Sequence, residues 1–227
     1  MRVLAIVPAY NEEESLQSTV EELMASCPYV DILVINDGSR DATGAICDRE
    51  GYNHLDMPIN CGLTSGFQAG MKYALRHGYD AAVQFDADGQ HRPEYIAEMA
   101  RAMEGQGADI VIASRFLEGE RGHSLRHIGN SLISRLIRAT TGASITDPTS
   151  GMRMFRRSTF KAFAGGMDMG PEPDAVALLV RKGGAKVVEV PASMRERQAG
   201  ESYLSPAKAV TYMGRTCLNI LFFQWFR

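Results

Sequence analysis

Only four cysteines stand in 227 residues, at positions 27, 47, 61 and 217, with no CxxC pair and no zinc-ligand spacing. A disulfide ladder and a structural zinc site are therefore not expected, and the usage fits reduced thiols in a cytosolic protein. The five histidines show no metal-ligand spacing either. Long apolar runs are missing. No uncharged stretch approaches the ~20 residues of a spanning helix, and MRVLAIVPAYNEEE has six apolar residues before Pro8, too few for a secretory signal. There is no GxGxxG after the first apolar run, no Gly-Lys-Ser/Thr phosphate loop and no serine nucleophile elbow. These absences count against dehydrogenase, P-loop and serine-hydrolase chemistry. Neither an internal repeat nor a low-complexity linker is visible. A formal charge of −3 offers no bulk attraction to nucleic acid.

What is present is ordinary globular composition, 45% hydrophobic and 22% charged, in a chain of the length of one large α/β domain. Charge is distributed unevenly. Residues 1–120 carry 8 Lys/Arg against 20 Asp/Glu, a net −12, whereas residues 121–167 carry 8 against one, Asp147, a net +7. Residues 206–227 add three basic residues and no acid. An acidic body with a basic working face follows.

Hydrophobic pattern predicts strands at 3–7, 31–35, 81–85, 109–113, 151–156 and 185–190. Asn11 and Glu14 form a capping-box pattern ahead of Leu16, Val20, Leu23 and Met24 at helical spacing. Further helices are predicted from near Asp41, over 63–77 and from Pro93 to Met103. Later, Ile128, Leu132, Ile133, Leu136 and Ile137 line one helix face, with Ser131, Ser134, Arg135 and Arg138 on the other. Apolar strands alternating with helices predict a mostly parallel sheet covered on both faces. Ligands bind such sheets at the carboxyl ends of the strands, and Tyr10, Asp37, Asp86, Asp88 and Arg115 all fall just past strand ends.

Asp86-Ala87-Asp88 can bring two carboxylates to one hard cation, Mg²⁺ or Mn²⁺, with Gln90 offering a third oxygen; a solvated turn is the alternative. Asp37, in INDGS, can accept hydrogen bonds from a nucleobase or serve as an Asx-turn or helix cap. Gly62, Gly66 and Gly70 share a helix face that suits close packing or ligand approach. Arg115 ends a strand beside the acidic cluster, where a guanidinium fork suits phosphate oxygens. Arg135 and Arg138 read as a solvated face.

Taken in order, VPAYNEE (7–13), INDGS (35–39), NCGLTSGFQAG (60–70), FDADGQH (85–91), ASRF (113–116) and DPTSGMRMFRR (147–157) resemble family 2 glycosyltransferases of the GT-A fold. Within that family the chain is most similar to polyprenyl-phosphate hexose synthases, over residues 2–205. The resemblance implies a Rossmann-like sheet and a metal-dependent, inverting transfer of a hexose from a nucleotide-diphosphate sugar of the UDP-glucose or GDP-mannose class. It implies nucleoside contacts at Pro8, Tyr10, Glu12, Ile35 and Asp37. Donor diphosphate and metal contacts fall at Asp86, Ala87, Asp88 and Gln90. Arg115 matches an arginine at the diphosphate and acceptor phosphate, and Arg197 one in a loop that closes on the donor. Two departures stand out. Tyr203 replaces a lysine six residues after the loop arginine, and His127, with Arg126 adjacent, replaces an arginine on the acceptor helix. Arg126, His127 and Ser131 are thus the acceptor-phosphate candidates.

A polyprenyl phosphate is already ionised near neutral pH and needs no general base. A saccharide hydroxyl would need one, with Asp147, Glu172 and Asp174 as candidates. A catalytically silent nucleotide-sugar-binding subunit is the reading from another class. The chain divides into a glycosyltransferase domain, 1–205, and a segment, 206–227. In residues 218–226 of that segment seven of nine are large and apolar, with Lys208, Arg215 and Arg227 flanking. Such a segment can lie at an anionic bilayer surface or dock on the core or on a small membrane subunit. The expected location is cytoplasmic, peripheral on the inner face of the plasma membrane.

Overall fold

The computed structural model describes residues 1–117, 125–165, 169–195 and 206–222. A seven-stranded sheet divides the molecule. Its strands are β1 (Val3–Ala9), β2 (Val30–Asn36), β3 (His54–Asp56), β4 (Ala81–Gln84), β5 (Ile110–Ser114), β6 (Arg153–Arg156) and β7 (Val187–Pro191), in spatial order β3-β2-β1-β4-β6-β5-β7. Every neighbouring pair is parallel except those made by β6, which runs against both β4 and β5.

Alternation along β1 explains the layering. Val3, Ala5 and Val7 face one side with Leu16, Val20 and Leu23 of α1 (Leu16–Ser26), Ile46 of α2 (Thr43–Glu50) and Met99 and Met103 of α4 (Glu94–Gly105). Leu4 and Ile6 face the other. There they meet Phe67 and Met71 of α3 (Gly62–Arg76), Ile133 and Ile137 of α5 (Leu125–Thr141), Phe160 and Phe163 of α6 (Arg157–Gly165), Val176 of α7 (Pro173–Gly183) and Ile220 of α8 (Pro206–Leu221). Strands buried on both faces read as continuous apolar runs for this reason. Phe67, Phe155 and Phe163 close the second core edge-to-face, with ring centroids 4.9 to 5.6 Å apart.

Several expectations are corrected. The Asn11–Glu14 capping box does not form. Asn11 takes a left-handed conformation, φ 55°, and its Oδ1 accepts from the Arg40 amide at 2.9 Å. Glu12 and Glu13 amides go likewise to Thr43 Oγ1 and Asp41 Oδ2, at 2.9 and 3.1 Å. The 10–13 turn is thus tied to the 39–43 turn rather than to its own helix, which begins at Leu16. β3, three residues long on the sheet edge, α6 and α7 were not foreseen. On α5 the apolar stripe is wider than the core it meets. Ile133 and Ile137 are fully buried, whereas Ile128 and Leu132 are 63% and 49% exposed. Ser134, expected on the solvent side, instead donates to the Ile145 carbonyl.

The glycine face of α3 serves close packing. A Cβ at Gly70 would lie 2.6 Å from Cγ2 of Ile6 on β1. Gly70→Ala should therefore cost about 1–3 kcal/mol through overpacking, despite the ~1 kcal/mol gain in helix propensity. Thermal denaturation should show the loss, and Ile6→Val in the same chain should recover part of it.

Candidate active site

Parallel strands bring their carboxyl ends to one edge, so residues distant in sequence meet there. Pro8 lies near the end of β1, and the exposed Tyr10 follows it. In register beside Pro8 is Ile35 on β2. Ile35 is fully buried among core residues, so its side chain offers nothing to a ligand; only its backbone lies near the edge. Glu12, partly buried, accepts from Ser15 Oγ at 2.8 Å. Asp37 is buried and caps α3: its Oδ1 and Oδ2 accept from the Cys61 and Gly62 amides, both at 2.8 Å. These contacts make Asp37 a cap of a helix 24 residues further along the chain. Gly38 (φ +66°) lets the same turn lie directly on the Ile59–Asn60 backbone, where a Cβ would come within 2.4 Å.

The acidic turn follows β4. Gln84 Nε2 donates to Asp86 Oδ1 at 2.8 Å, and the Asp86 amide donates to His91 Nδ1 at 2.9 Å. An accepting Nδ1 leaves the ring proton on Nε2, which faces Asp86 Oδ2 at 3.6 Å. His91 is thus the buried support of the turn. Gly151 keeps the far side open, since a Cβ there would sit 3.1 Å from Asp86 Oδ2. Asp88 is buried, and its Oδ1 accepts from the Gln90 amide at 3.0 Å. Ala87 is buried and its carbonyl accepts from Thr19 Oγ1 at 3.1 Å. Asp86, Asp88 and Gln90 supply only oxygen donors from one five-residue turn, the chemistry a hard divalent cation prefers. Among the described residues no group of three or more His, Cys, Asp or Glu side chains forms a complete cage. A cation here would draw its remaining ligands from a diphosphate or water.

Arg115 follows β5 and is gripped by Asp147. Its backbone amide and Nε donate to Asp147 Oδ2 at 3.0 and 2.7 Å, and Nη2 donates to Asp147 Oδ1 at 2.8 Å and to Thr149 Oγ1 at 2.9 Å. Asp147 is 0% exposed and Arg115 31%. Asp147, a candidate base in the sequence, is here sealed from solvent and committed to a bidentate ion pair, an arrangement that positions Arg115. Glu189 of β7 holds the grip by accepting from the Thr146 and Asp147 amides at 2.7 and 2.8 Å. Asn130 of α5 joins through Thr149 Oγ1, which donates to its Oδ1 at 2.9 Å. Sequence reading missed Glu189, which carries no motif of its own.

Phe116 links Arg115 to α5. The guanidinium carbon lies 5.2 Å from the Phe116 ring centre, and that ring meets His127 edge-on at 4.3 Å. His127 is thereby close to the site, and Ser131 is exposed one turn on. The Arg126 side chain lies outside the described residues, as does Arg197. Beneath the site is a second group, around a buried arginine. Arg153 at the start of β6 is buried, its Nη2 donates to the Pro148 carbonyl at 2.6 Å and its Nε has no partner. Burial lowers its pKa; Tyr212, Glu172 and Asp147 are the groups whose charge most favours its cationic form. Glu172 accepts from Thr64 Oγ1 at 3.1 Å, and burial raises its carboxyl pKa. Burial pushes the Tyr212 phenol up to about 12. Asp174 accepts from Asn219 Nδ2 at 2.8 Å, fastening α7 to α8.

The sequence model of the family described as Glycosyl transferase family 2 matches residues 4–163. The undecaprenyl-phosphate mannosyltransferase of Micrococcus luteus is 34% identical over 220 residues, covering 90% of this chain and 88% of that protein. The polyprenol monophosphomannose synthase of Mycolicibacterium smegmatis is 34% identical over 216 residues, covering 90% and 81%. Among solved structures, glucosyl-3-phosphoglycerate synthase from Mycobacterium tuberculosis, in complex with Mn²⁺, UDP and glucosyl-3-phosphoglycerate, superposes with a TM-score of 0.70. It is 16% identical and covers 98% of this chain and 79% of that one. The GT-A fold expected from the sequence is the fold observed. No small membrane subunit is named with these relatives.

Asp147→Asn removes the charge but keeps the shape. It should lower stability by about 2–4 kcal/mol through the unpaired guanidinium and lost bonds. Thermal denaturation measures the loss, and a melting point unchanged from the parent chain would refute the central role of this pair.

Proposed function

The chain belongs to glycosyl transferase family 2, and on that premise we propose that it moves a hexose from a nucleotide-diphosphate sugar to a polyprenyl phosphate at a membrane surface. The supporting observation is the commitment of Asp147 to Arg115. The carboxylate nearest the phosphate-binding arginine is sealed from solvent and committed to that arginine rather than offered to an acceptor hydroxyl, which suits an acceptor that arrives ionised. Relatives named for undecaprenyl-phosphate and polyprenol substrates favour the same acceptor class. The donor is of the UDP-glucose or GDP-mannose class.

In this reading Pro8, Tyr10, Glu12, the Ile35 backbone and Asp37 line the nucleoside end. Ala87 and the oxygens of Asp86, Asp88 and Gln90 serve the diphosphate, the last three holding Mg²⁺ or Mn²⁺. When bound, the cation offsets the negative charge that grows on the leaving diphosphate. Arg115 stabilises that charge from the other side, its fork already oriented by Asp147 and Thr149. Arg126, His127 and Ser131 receive the acceptor phosphate, and Arg197 closes on the donor. An acceptor oxygen attacking opposite the diphosphate inverts the anomeric centre. A second reading, transfer to a saccharide hydroxyl, rests on Glu172, whose burial-raised pKa makes it the better base of those at hand.

Access to a lipid fits the outer face of α5 and α8. Ile128, Leu132, Leu218, Leu221 and Phe222 are exposed there, with Arg135 and Arg138 also exposed on α5. Helix α8 therefore does two things: Thr216 and Ile220 are buried against the domain while Leu218 and Leu221 are exposed. In this proposal residues 206–227 act as an interfacial segment on the inner face of the plasma membrane, held to the domain through the buried Thr216 and Ile220. Among the described residues no helix is long and apolar enough to cross a bilayer.

Transfer of radiolabel from UDP-glucose or GDP-mannose to undecaprenyl phosphate in detergent tests the proposal. Label should enter the organic phase with Mg²⁺ or Mn²⁺, fail to do so with EDTA, and fall at least a hundredfold in Asp88→Asn. Nucleotide binding with no transfer to any acceptor would instead identify a silent subunit, and transfer to a sugar hydroxyl that is lost in Glu172→Gln would establish the second reading. Flotation with phosphatidylglycerol vesicles tests the surface. Replacing Ile128, Leu132, Leu218 and Phe222 by Ser should cut vesicle binding at least tenfold, since each large apolar side chain contributes about 1.5–3 kcal/mol when fully buried. Unchanged flotation would remove the membrane role from this face.

A further inference from the structure

Beyond β7 the chain is fastened residue by residue across the acidic turn. The Ala192 amide donates to the Ser114 carbonyl at 2.9 Å, and the Ser193 amide to Tyr95 Oη at 3.0 Å. Ser193 Oγ accepts from Arg92 Nη1 at 3.1 Å. The Arg195 amide then donates to the Gln90 carbonyl at 3.0 Å, and Gln90 Nε2 points back to the Arg195 carbonyl at 3.5 Å. Residues 90 and 195 thus hold each other, and Gln90 in turn is joined to Asp88 through its own amide.

What fixes residue 195 is its side chain. Nη1 and Nη2 of Arg195 each reach one oxygen of Glu22 on α1, both at 2.7 Å. The partners are 31% and 34% exposed, so the pair contributes little to stability. Its fork geometry nonetheless fixes direction, which a single contact would not.

We propose that the Glu22–Arg195 ion pair positions Gln90 as an oxygen donor toward a divalent cation held at Asp86 and Asp88, an inference that rests on the metal reading above. A carboxamide has one donating and one accepting end. With Nε2 turned to the Arg195 carbonyl, Oε1 is the end left for a cation; the opposite orientation would direct an NH₂ group at it. Glu22 and Arg195 are positioning residues, acting only through the backbone of residue 195.

Mn²⁺ binding to the full chain, followed by electron paramagnetic resonance with UDP or GDP present, reads this without turnover. Groups that orient a metal ligand typically contribute 10–100-fold in affinity. Glu22→Gln and Arg195→Ala should each weaken Mn²⁺ binding roughly tenfold with little change in melting temperature. The double variant should be no weaker than the worse single one, because both act through one contact. Equal affinity in the parent chain and Glu22→Gln overturns the inference alone, as do losses that simply add. A parent chain that binds no Mn²⁺ with either nucleotide overturns the metal reading and this inference with it.

Discussion

Asp147 is a carboxylate that water does not reach, and several elements are arranged to make that tolerable. Removing a charge from water costs several kcal/mol unless partners replace the lost solvation. Here three donors of Arg115 do so, with Thr149 sharing the guanidinium. The backbone of 146–147 is fixed by Glu189, whose two oxygens take consecutive amides. One acid therefore orients the guanidinium and another orients the first acid. Arg115 consequently presents its partly exposed edge to the site in a fixed direction before any substrate arrives, which is the condition for electrostatic preorganisation.

Topology explains why that loop is available. Because β6 enters the sheet antiparallel between β4 and β5, the chain leading into it crosses the carboxyl edge where both neighbours end. A single stretch, 147–153, thus touches both halves of the site. Asp147 holds Arg115 beyond β5, Gly151 leaves room beside Asp86 beyond β4, and Arg153 lies between them in the sheet. A parallel strand in this place would have delivered its amino end to the opposite edge. The one reversal in an otherwise parallel sheet is what joins the acidic turn to the arginine.

Much of this was legible in the sequence where the physics is local. Buried strands appear as apolar runs, and residues just beyond them converge because parallel strands share an edge; Asp86, Asp88 and Arg115 were found in that way. Features decided by tertiary contact were not. His54–Asp56 is too short for a period to show. Asn11 carries the composition of a helix cap, yet its side chain is drawn to the neighbouring turn at Arg40. At Asp37, nothing local announces that the start of α3 would supply amides to both of its oxygens. Asp147 read as an available acid because nothing in DPTSG reveals that Arg115, 32 residues earlier, would close over it.

The stripe on α5 shows how one pattern can carry two meanings. Helical spacing of Ile128, Leu132, Ile133, Leu136 and Ile137 says only that a continuous apolar face exists. The domain covers Ile133 and Ile137 and leaves Ile128 and Leu132 outside. A surface that merely tolerates stray apolar side chains would scatter them. Here they stand on the helix that also carries Asn130, bonded to Thr149 in the grip on Arg115, and His127, edge-on to Phe116. On the proposed docking to a lipid surface, α5 would therefore carry both the residues that meet the lipid and those that hold the grip on Arg115.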